Sequence, residues 1–510
     1  MGKLPDAAVL PVARTSAVAR LLTPSFSDIF FVAIVAWCFL SGPDGWLSLL
    51  MDGDTGFHIR VGDWILAHRQ VPVTHPFSFS VNGHEWFAFE WLAQIIVAAV
   101  HSEWGLKGVA LGAGLLIGTV FTALLRYMIW RGANPLIAVV ATLITVNICR
   151  IHFWARPHLF TWLFLVAGLW ILERDRLRPS RWTWTLVPLV VIWANLHGGF
   201  VLFLVLLGIQ LVGVAGDTWL TRGDWSRVRR LAMITGAASL STLVNPYGLH
   251  LVTHVIDVVS AKWLTTAVDE FKSPQFRTEP LIMFMGILFV SLGLCERLIR
   301  KRRFDHFLWI AFLAYSALVA VRQAPIFALV AAPIVAVELS ELWNSLVLRS
   351  ARSSIARILD DVTAPLGGAE RTGVLCPAFA LFLAFAPGLS WPVDFPKELF
   401  PITLVSRHGE KLAPARVFTT DQWSDYLIYR NYPKQRDFMD GQHQYYGEQH
   451  VKDYVAIIEG QPNWSTLMDR FRFDYVLSPK KQPLTALLST DARWRRLDEA
   501  DGAVLFAPAR

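Results

Sequence analysis

Long apolar stretches separated by short polar segments make up most of the first 390 residues. The first stretch runs from Ile29 to Leu40. Ten more follow at 107–127, 135–149, 159–172, 183–196, 199–215, 231–244, 281–296, 307–321, 325–341 and 373–388. Continuous apolar segments of this kind cross the hydrocarbon core of a bilayer as α-helices. The pattern therefore predicts an α-helical polytopic membrane module over residues 1–390, with about 11 spans, several of them short.

Arginine-rich loops between the apolar stretches indicate how the chain is oriented. They lie at 174–181, 222–230 and 297–303, and basic loops of membrane proteins stay in the cytoplasm. The ten apolar residues Trp91–Val100 are too few to span a bilayer. All three loops face the cytoplasm only if this segment lies at the outer surface of the membrane and does not cross it. The N-terminus is then cytoplasmic, and residues 42–106 form an outer loop with interfacial helices. The expected location is the inner (cytoplasmic) membrane, with the C-terminal region in the periplasm or outside the cell.

The character of the chain changes after Trp391. Residues 391–510 contain sixteen Lys and Arg against sixteen Asp and Glu, so the net charge of +7 lies entirely in the membrane module. Basic charge that flanks membrane helices sets orientation and does not indicate a nucleic-acid partner. The pattern here predicts a helix at 422–429 and strands at 416–419, 436–439, 475–477, 494–498 and 503–506. These elements predict a small extracytoplasmic α/β domain. Its sequence has no glycine-rich phosphate loop or zinc-site spacing, so we assign it binding or support.

Unusual polar residues collect at one side of the predicted membrane module. With the orientation above, they fall at outer helix ends or in outer loops: Asp52, Asp54, His58, Arg156, His158, Asn195, His197, Asn245, Asp269, Glu270 and Arg322. Ionisable groups at membrane depth are costly, and where they occur they mark cavities or pathways. Their convergence predicts a single site that faces outward.

The segment Met51–His58 carries the strongest candidate chemistry. Asp52 and Asp54 flank Gly53 just after the first span, so their carboxylates are able to turn towards a common point. Such a pair suits a general base or the binding of a divalent cation such as Mg²⁺ or Mn²⁺. A solvated turn is the alternative, because Asp and Gly are ordinary turn residues.

Other polar residues offer groups for binding a substrate or a phosphate. They are His58, Glu90, Arg156, His158, Asn195, His197 and Arg322. Arg presents a fixed fork of donors to phosphate, and His adds a donor or moves a proton. Structural alternatives exist for most of them. Arg156 would then reach towards lipid headgroups, Glu90 would belong to an aromatic belt, and Asn195 and His197 would cap a helical hairpin at Gly198 and Gly199.

The order of these motifs resembles that of the GT-C superfamily of integral-membrane glycosyltransferases, in particular a bacterial branch of it. The resemblance is carried by Asp52-Gly-Asp54, Pro76-Phe-Ser-Phe with Glu90-Trp-Leu, Trp193-x-Asn195-x-His-Gly-Gly, Asn245-Pro-Tyr-Gly and Asp440-Gly441. It implies transfer of a sugar from a polyprenyl-phosphate carrier to an acceptor at the outer face, with Asp52 and Asp54 as base or metal ligands. Many relatives carry a second acid in the next outer loop, where this chain has Arg156 and His158. A reaction with Mg²⁺ or Mn²⁺ and a metal-independent one therefore both stay open.

The implied partners are a polyprenyl-phosphate-linked sugar donor, a glycan, lipid or protein acceptor, and membrane lipids. In this mechanism Asp54 or Asp52 takes the acceptor proton. The departing phosphate is stabilised by Arg156, His158, His197 and Arg322. Two other functions remain as alternatives: a transporter or lipid flippase, and a non-catalytic membrane scaffold with an outer binding domain. Transporters are often built from internal repeats, and the sequence contains none that we detect. A scaffold needs no acids at a helix exit.

Overall fold

The computed structural model of the protein describes residues 21–40, 47–81, 83–261, 263–264, 268–351, 353–368, 373–386, 389 and 391–509. The predicted cytoplasmic N-terminus, residues 1–20, lies outside these ranges. The described chain is mostly helical. Its α-helices, α1 to α20 in chain order, are Phe26–Leu40, Asp54–His68, Trp91–Trp130, Pro135–Cys149, His158–Leu177, Leu186–Leu196, Phe200–Thr221, Ser226–Ser241, Leu249–Ser260, Glu279–Gly293, Cys295–Arg300, Phe304–Val319, Ala324–Arg349, Ile355–Thr363, Leu375–Phe385, Ile402–Leu412, Asp421–Asn431, Glu448–Ile458, Trp464–Phe471 and Pro483–Thr490.

Five of the described helical segments are long and apolar enough to cross a membrane. They are Trp91–Trp130, Pro135–His152, Phe200–Thr221, Glu279–Arg300 and Val321–Arg349. Shorter apolar helices lie at Phe26–Phe39, Leu249–Val258, Phe304–Val319 and Leu375–Phe385. The structure therefore has the mostly helical membrane architecture that the sequence predicts. The predicted count of about 11 spans is not confirmed, because helices such as Leu186–Leu196 are too short to cross a hydrocarbon core of ~30 Å.

The predicted interfacial segment and the span that follows it form one interrupted helix, α3 (Trp91–Trp130). The interruption lies at Gly105, whose φ of 61° and ψ of −158° are not helical. A positive φ of this kind is open to glycine because it has no Cβ. The break separates a short first part from a long apolar remainder, so the two parts need not follow the same axis. The position of the first part at the outer surface of the bilayer stays a prediction.

The first outer loop packs on the C-terminal region. Within the loop, Thr74 and Glu85 form an isolated antiparallel bridge. Further along, Ser78 forms a parallel bridge with Asp437, and the backbone N–H of Phe79 donates to the Asp437 carbonyl at 3.0 Å. The prediction of a strand at 436–439 is therefore wrong. This stretch is extended, but it leaves the C-terminal sheet and pairs at a single residue with the outer loop.

The C-terminal region contains a four-stranded sheet in the order β1-β2-β4-β3. The strands are β1 (Val417–Phe418), β2 (Tyr475–Pro479), β3 (Trp494–Ala500) and β4 (Ala503–Pro508). β1 pairs with β2 in parallel, and β4 pairs antiparallel with both β2 and β3. The predicted hairpin and the predicted strands at 416–419 and 475–477 are thus present. The predicted helix at 422–429 is α17 (Asp421–Asn431).

Helix α17 brings the C-terminal region against the Asp52-Gly53-Asp54 motif. A Cβ on Gly53 would lie 2.3 Å from the Gln422 carbonyl oxygen, and one on Gly56 would lie 2.7 Å from the Tyr429 Cβ. The Gly53 N–H also donates to Gln422 Oε1 at 2.7 Å. Apolar side chains from the membrane module and from α17 belong to one core. The division of the chain at residue 391 stays a prediction, although the two parts are in direct contact at the motif.

Candidate functional site

A buried ion-pair cluster forms where the first outer loop meets the second one. Arg156 Nη1 lies 2.6 Å from Asp52 Oδ2, and its Nη2 lies 2.6 Å from Asp54 Oδ2. Both carboxylates are buried, with 5% and 3% of the residue surface exposed. The backbone supports this arrangement, because the Ala155 N–H donates to the Leu49 carbonyl at 2.8 Å. The planar guanidinium therefore binds the two acids of the motif as a fork.

The two acids of the motif differ in their remaining contacts. Asp52 Oδ1 accepts a hydrogen bond from the Asp54 backbone N–H at 3.0 Å. Asp54 Oδ1 has no hydrogen-bond partner in the part of the chain that the structure describes. Burial raises the pKa of Asp52 to about 6, although the charge of Arg156 opposes this rise. Because one of its oxygens is unpaired, Asp54 is the better placed of the two to accept a proton.

Glu270 joins the cluster from a later outer loop. Its Oε1 lies 3.6 Å from Arg156 Nη1 and 3.9 Å from His152 Nε2. Burial acts to raise its pKa, but the charges of Arg156 and Arg322 outweigh burial and lower it to about 2. Arg156 is thus surrounded by three acids. The predicted contact of Arg156 with a leaving phosphate stays untested, and in this arrangement its guanidinium neutralises carboxylates.

Glu90 lies between two histidines. Its Oε2 is 3.5 Å from His58 Nε2, and its Oε1 is 3.5 Å from His197 Nε2. The Gly199 N–H donates to His197 Nδ1 at 3.0 Å, so the proton of the neutral ring is assigned to Nε2, which faces Glu90. Burial lowers the pKa of both histidines to about 3 and raises that of Glu90 to about 8. Glu90 is therefore able to gain or lose a proton near neutral pH.

Arg322 is a cation with open donors at this site. It lies over the ring of Phe271 at 4.5 Å. No hydrogen bond or ion pair joins its guanidinium to any of the described residues. Its charge contributes to lowering the pKa values of His197 and Glu270, and it opposes the rise that burial causes in the pKa of Glu90. A guanidinium with open donors beside buried polar groups is suited to bind an anionic group.

Two predicted site residues are engaged in structural contacts. His158 Nε2 lies 2.8 Å from the carbonyl of His152. The Asn195 side chain accepts from Trp91 Nε1 at 2.8 Å and donates to two backbone carbonyls at 2.7 and 2.9 Å. These bonds use both donors of the Asn195 amide and match the helix-capping alternative for this residue. Substrate roles for His158 and Asn195 stay predictions.

The C-terminal region contributes an acid that the sequence analysis did not assign to the site. A Cβ on Gly441 would lie 2.3 Å from Asp54 Oδ1 and 3.0 Å from Asp425 Oδ2. Asp425 is fully buried, and neither of its oxygens has a hydrogen-bond partner among the described residues. Burial and the charge of Asp54 raise the pKa of Asp425 well above its usual range. Burial and the charge of Asp54 therefore favour the neutral form of the Asp425 carboxyl group.

Three other buried residues, contributed by the loop after α2 and by the C-terminal region, could hold a metal ion. The candidate ligand atoms of His75, Asp437 and Asp440 all lie within 4.8 Å of one another. However, His75 Nδ1 accepts from the backbone N–H groups of Phe77 and Ser78 at 3.3 and 3.1 Å. The ring proton is therefore assigned to Nε2, which lies 3.0 Å from Asp440 Oδ2. If Nε2 bound a metal ion, the ring proton would have to move to Nδ1, where it would face the two backbone N–H donors of Phe77 and Ser78. The hydrogen bonds therefore favour His75 as a donor to Asp440.

An open apolar groove of about 490 Å³, called the apolar cavity below, lies beside Trp91. It is lined by Trp91, Leu92, Val191, Ile192, Asn195, Leu243, Val244, Asn245 and Pro246. Trp91 directly follows Glu90, and Asn195 precedes His197 by two residues, so the cavity lies close to both ionisable groups. Its mainly apolar walls suit a hydrocarbon ligand.

Comparison with known proteins identifies the fold. The sequence matches no family model and no curated protein. The structure is similar to the oligosaccharyltransferase AglB of Archaeoglobus fulgidus in complex with an inhibitory peptide and a dolichol-phosphate. The TM-score is 0.56 at 13% identity, over 89% of this chain and 69% of that one. AglB tethered to an acceptor peptide containing the NVT sequon gives a TM-score of 0.54 at the same identity and coverage.

A weaker match is ArnT from Cupriavidus metallidurans bound to undecaprenyl phosphate. It has a TM-score of 0.45 at 13% identity, over 94% of this chain and 97% of that one. The AglB structures show that this chain has the GT-C fold, as the order of its sequence motifs predicts. At 13% identity the similarity concerns the fold alone.

Proposed function

We propose that the protein is a membrane glycosyltransferase that transfers a sugar from a polyprenyl-phosphate donor to an acceptor at the outer face of the cytoplasmic membrane. One observation carries the proposal. Asp54 is buried beside Arg156 in a GT-C fold, and its Oδ1 has no hydrogen-bond partner among the described residues. A carboxylate with an open oxygen is suited to take the proton of an attacking hydroxyl group.

Two observations support a lipid-phosphate donor: the ligand bound to AglB, and the groups at the site of this chain. AglB has been solved with a dolichol-phosphate and with an acceptor peptide. In this chain, the apolar cavity beside Trp91 would take the hydrocarbon part of a lipid carrier. Arg322, whose donors are open, and His197 Nε2 are the groups we propose for the phosphate. The acceptor is a glycan, a lipid or a protein with a nucleophilic group at the outer face.

The proposed reaction is a direct displacement at the anomeric carbon. A bond forms between this carbon and the acceptor oxygen while the bond to the phosphate oxygen breaks, and the phosphate leaves on the lipid with the electron pair. Asp54 accepts the acceptor proton. Arg322 and His197 stabilise the charge that develops on the phosphate. Attack opposite the leaving group inverts the anomeric configuration.

The Asp52-Gly53-Asp54 motif does not fit a divalent cation that bridges its two acids. Arg156 holds one oxygen of each carboxylate at 2.6 Å, and the second oxygen of Asp52 accepts a backbone N–H. Among the four carboxylate oxygens of Asp52 and Asp54, only Asp54 Oδ1 then has no hydrogen-bond partner among the described residues. Mg²⁺ and Mn²⁺ prefer several oxygen ligands. We therefore propose that Arg156 and Arg322 supply the positive charge of the site and that transfer needs no added metal.

The test uses purified protein in liposomes with a polyprenyl-phosphate-linked sugar. Asp54→Asn should lower the transfer rate by about 10²- to 10⁴-fold, the usual effect of losing a positioned base. Donor binding and expression should stay close to wild type. Asp269→Asn is the matched control, because Asp269 is an acid of the outer loops whose side chain is 93% exposed. An Asp54→Asn variant with full activity would refute the proposal, and flux of intact donor without a new glycosidic bond would identify a flippase.

A further inference from the structure

A second cluster of buried charges lies at the opposite end of the helix bundle. It is formed by Arg131, Glu173, Asp175, Arg176, Arg227, Arg230, Arg303 and Asp305, called the basic cluster below. Helix α3 begins directly after Glu90 and ends directly before Arg131, and α5 begins at His158 and carries Glu173 in its last turns. A helix of 20 residues such as α5 is about 30 Å long. Glu173 follows His158 by 15 residues, so the basic cluster lies roughly 22 Å along α5 from the His158 end.

Three carboxylates of the basic cluster are paired internally. Glu173 lies 3.1 Å from Arg131 Nη2 and 3.2 Å from Arg303 Nη2. Asp305 lies 3.2 Å from Arg303 Nε and 3.5 Å from Arg176 Nη1. The third carboxylate, Asp175, is bound by Arg230 Nη2 and Thr183.

The contacts of Asp175 complete the pairing. Arg230 Nη2 lies at 2.7 Å, and the Thr183 hydroxyl donates at 2.5 Å. His306 Nε2 lies beside Arg303 Nη2 and 3.7 Å from Glu173 Oε2. Five arginines thus face three carboxylates, and the basic cluster carries two positive charges in excess.

Several guanidinium donors of the basic cluster have no acceptor. Arg227 Nε and Nη2, Arg230 Nε and Arg131 Nη1 are buried atoms without a hydrogen-bond partner in the described ranges. Leaving buried donors of a charged group unpaired costs more than leaving neutral ones unpaired. Arg227 has no ion pair with any described residue, and it is partly buried as a residue, so its side chain lies close to the surface although its Nε and Nη2 are buried.

Exposed tryptophans indicate where the basic cluster lies relative to a bilayer. Trp225, two residues before Arg227, is 45% exposed. Trp182, next to the Thr183 that binds Asp175, is 67% exposed. Tryptophans at the surface of membrane proteins concentrate at the depth of the lipid headgroups. The open guanidinium donors are therefore near the headgroup region of the leaflet opposite the Asp54 site.

We propose that the basic cluster binds a phosphate group, with Arg227 as its principal ligand. A phosphate offers several acceptor oxygens and one to two negative charges, which matches the unpaired donors and the charge excess. The ligand is a phospholipid headgroup or a free phosphate compound, since both present the same chemistry. This site is independent of the proposed sugar transfer, and it would tie the helix ends together at that face.

The test measures thermal unfolding of the full-length protein in detergent. Phosphatidylglycerol, phosphatidylcholine and inorganic phosphate are added separately to wild type, Arg227→Gln and Arg229→Gln. Arg229 is the matched control, because it is an exposed arginine of the same helix, α8. The wild type and Arg229→Gln should gain about 3 to 6 °C with a saturating ligand, and Arg227→Gln should not. A gain with phosphatidylglycerol identifies a lipid headgroup, and a gain with inorganic phosphate identifies a free phosphate compound.

Equal responses of Arg227→Gln and Arg229→Gln, or no response of the wild type to any addition, would overturn the proposal. If Arg227→Gln does not fold, native mass spectrometry of the wild type decides. Retention of one phosphatidylglycerol or one phosphate per chain supports the site, and its absence at saturating concentration overturns it.

Discussion

Adding one methyl group at Gly441 tests how closely the C-terminal region controls Asp54. A Cβ at this position would lie 2.3 Å from Asp54 Oδ1, whereas ordinary contacts begin at 3.4 Å. The Asp54 carboxylate must therefore move by about 1 Å, a displacement that typically costs ~10²-fold in rate at a reacting group. Its other oxygen is bound to Arg156 at 2.6 Å, so the same movement strains this ion pair. We expect Gly441→Ala to lower kcat about 10²-fold although Asp54 itself is unchanged.

The assay compares sugar transfer and thermal unfolding of four proteins in liposomes. They are wild type, Gly441→Ala, Gly441→Ala with Asp54→Asn, and Gly216→Ala. Gly216 is the control, because a Cβ there would meet no atom within 4 Å. Both active-site changes act through Asp54, so the double variant should be no slower than Asp54→Asn alone. A wild-type kcat for Gly441→Ala, or losses that multiply in the double variant, would refute this reasoning.

Three further predictions follow from the charges of the site and from the arginine-rich loops. The folded-state pKa of Glu90, about 8, lies above its ordinary value of 4.5, so the folded state keeps a proton that the unfolded state loses. The contribution of Glu90 to stability should fall as pH rises through this window, and Glu90→Gln should flatten the melting temperature between about pH 5 and 8. EDTA should leave sugar transfer unchanged, and inhibition that Mn²⁺ reverses would contradict the role of Arg156. Single cysteines at Arg176, Arg229 and Lys301 should resist a membrane-impermeant thiol reagent in spheroplasts while one at Glu448 reacts; the opposite labelling would reverse the orientation.

The helical membrane architecture and the first half of the site were predictable because they depend on local patterns. Apolar runs indicate membrane helices wherever they occur, and Asp52 and Asp54 are two residues apart in the sequence. Their position after the first span was enough to identify them as candidates. Glu90, His197 and Arg322 are candidates for a similar reason, since each is a polar residue at the end of an apolar run.

The second half of the site was not predictable because it depends on tertiary packing. Asp425 is about 370 residues from Asp54, and the two meet because Gly53 and Gly441 allow helix α17 to approach the motif. In the sequence, Asp440-Gly441 is a short motif directly after a predicted strand. This local pattern does not reveal the close contact with Asp54 that requires glycine at position 441. The predicted strand at 436–439 failed for the same reason, because Asp437 pairs with Ser78 of a distant loop.

The pairing of Arg156 also could not be read from its neighbours. An arginine at the outer start of a span has the same local sequence whether it binds a phosphate, a lipid headgroup or an acid. Only the approach of Asp52 and Asp54 from one segment and of Glu270 from another assigns its partners. The same limit applies to Asn195, whose donors are used by two backbone carbonyls.

The most direct test of the central claim follows both products of the reaction in one sample. Purified protein in liposomes is given a polyprenyl-phosphate-linked sugar and the lipid and glycan fraction of its host envelope, and mass spectrometry counts the lipid phosphate released and the glycosylated acceptor formed. We expect equal amounts of the two products for wild type and Asp269→Asn, and a loss of about 10²-fold or more of both for Asp54→Asn. Donor that crosses the bilayer intact, or equal product formation by Asp54→Asn and the wild type, would contradict the claim.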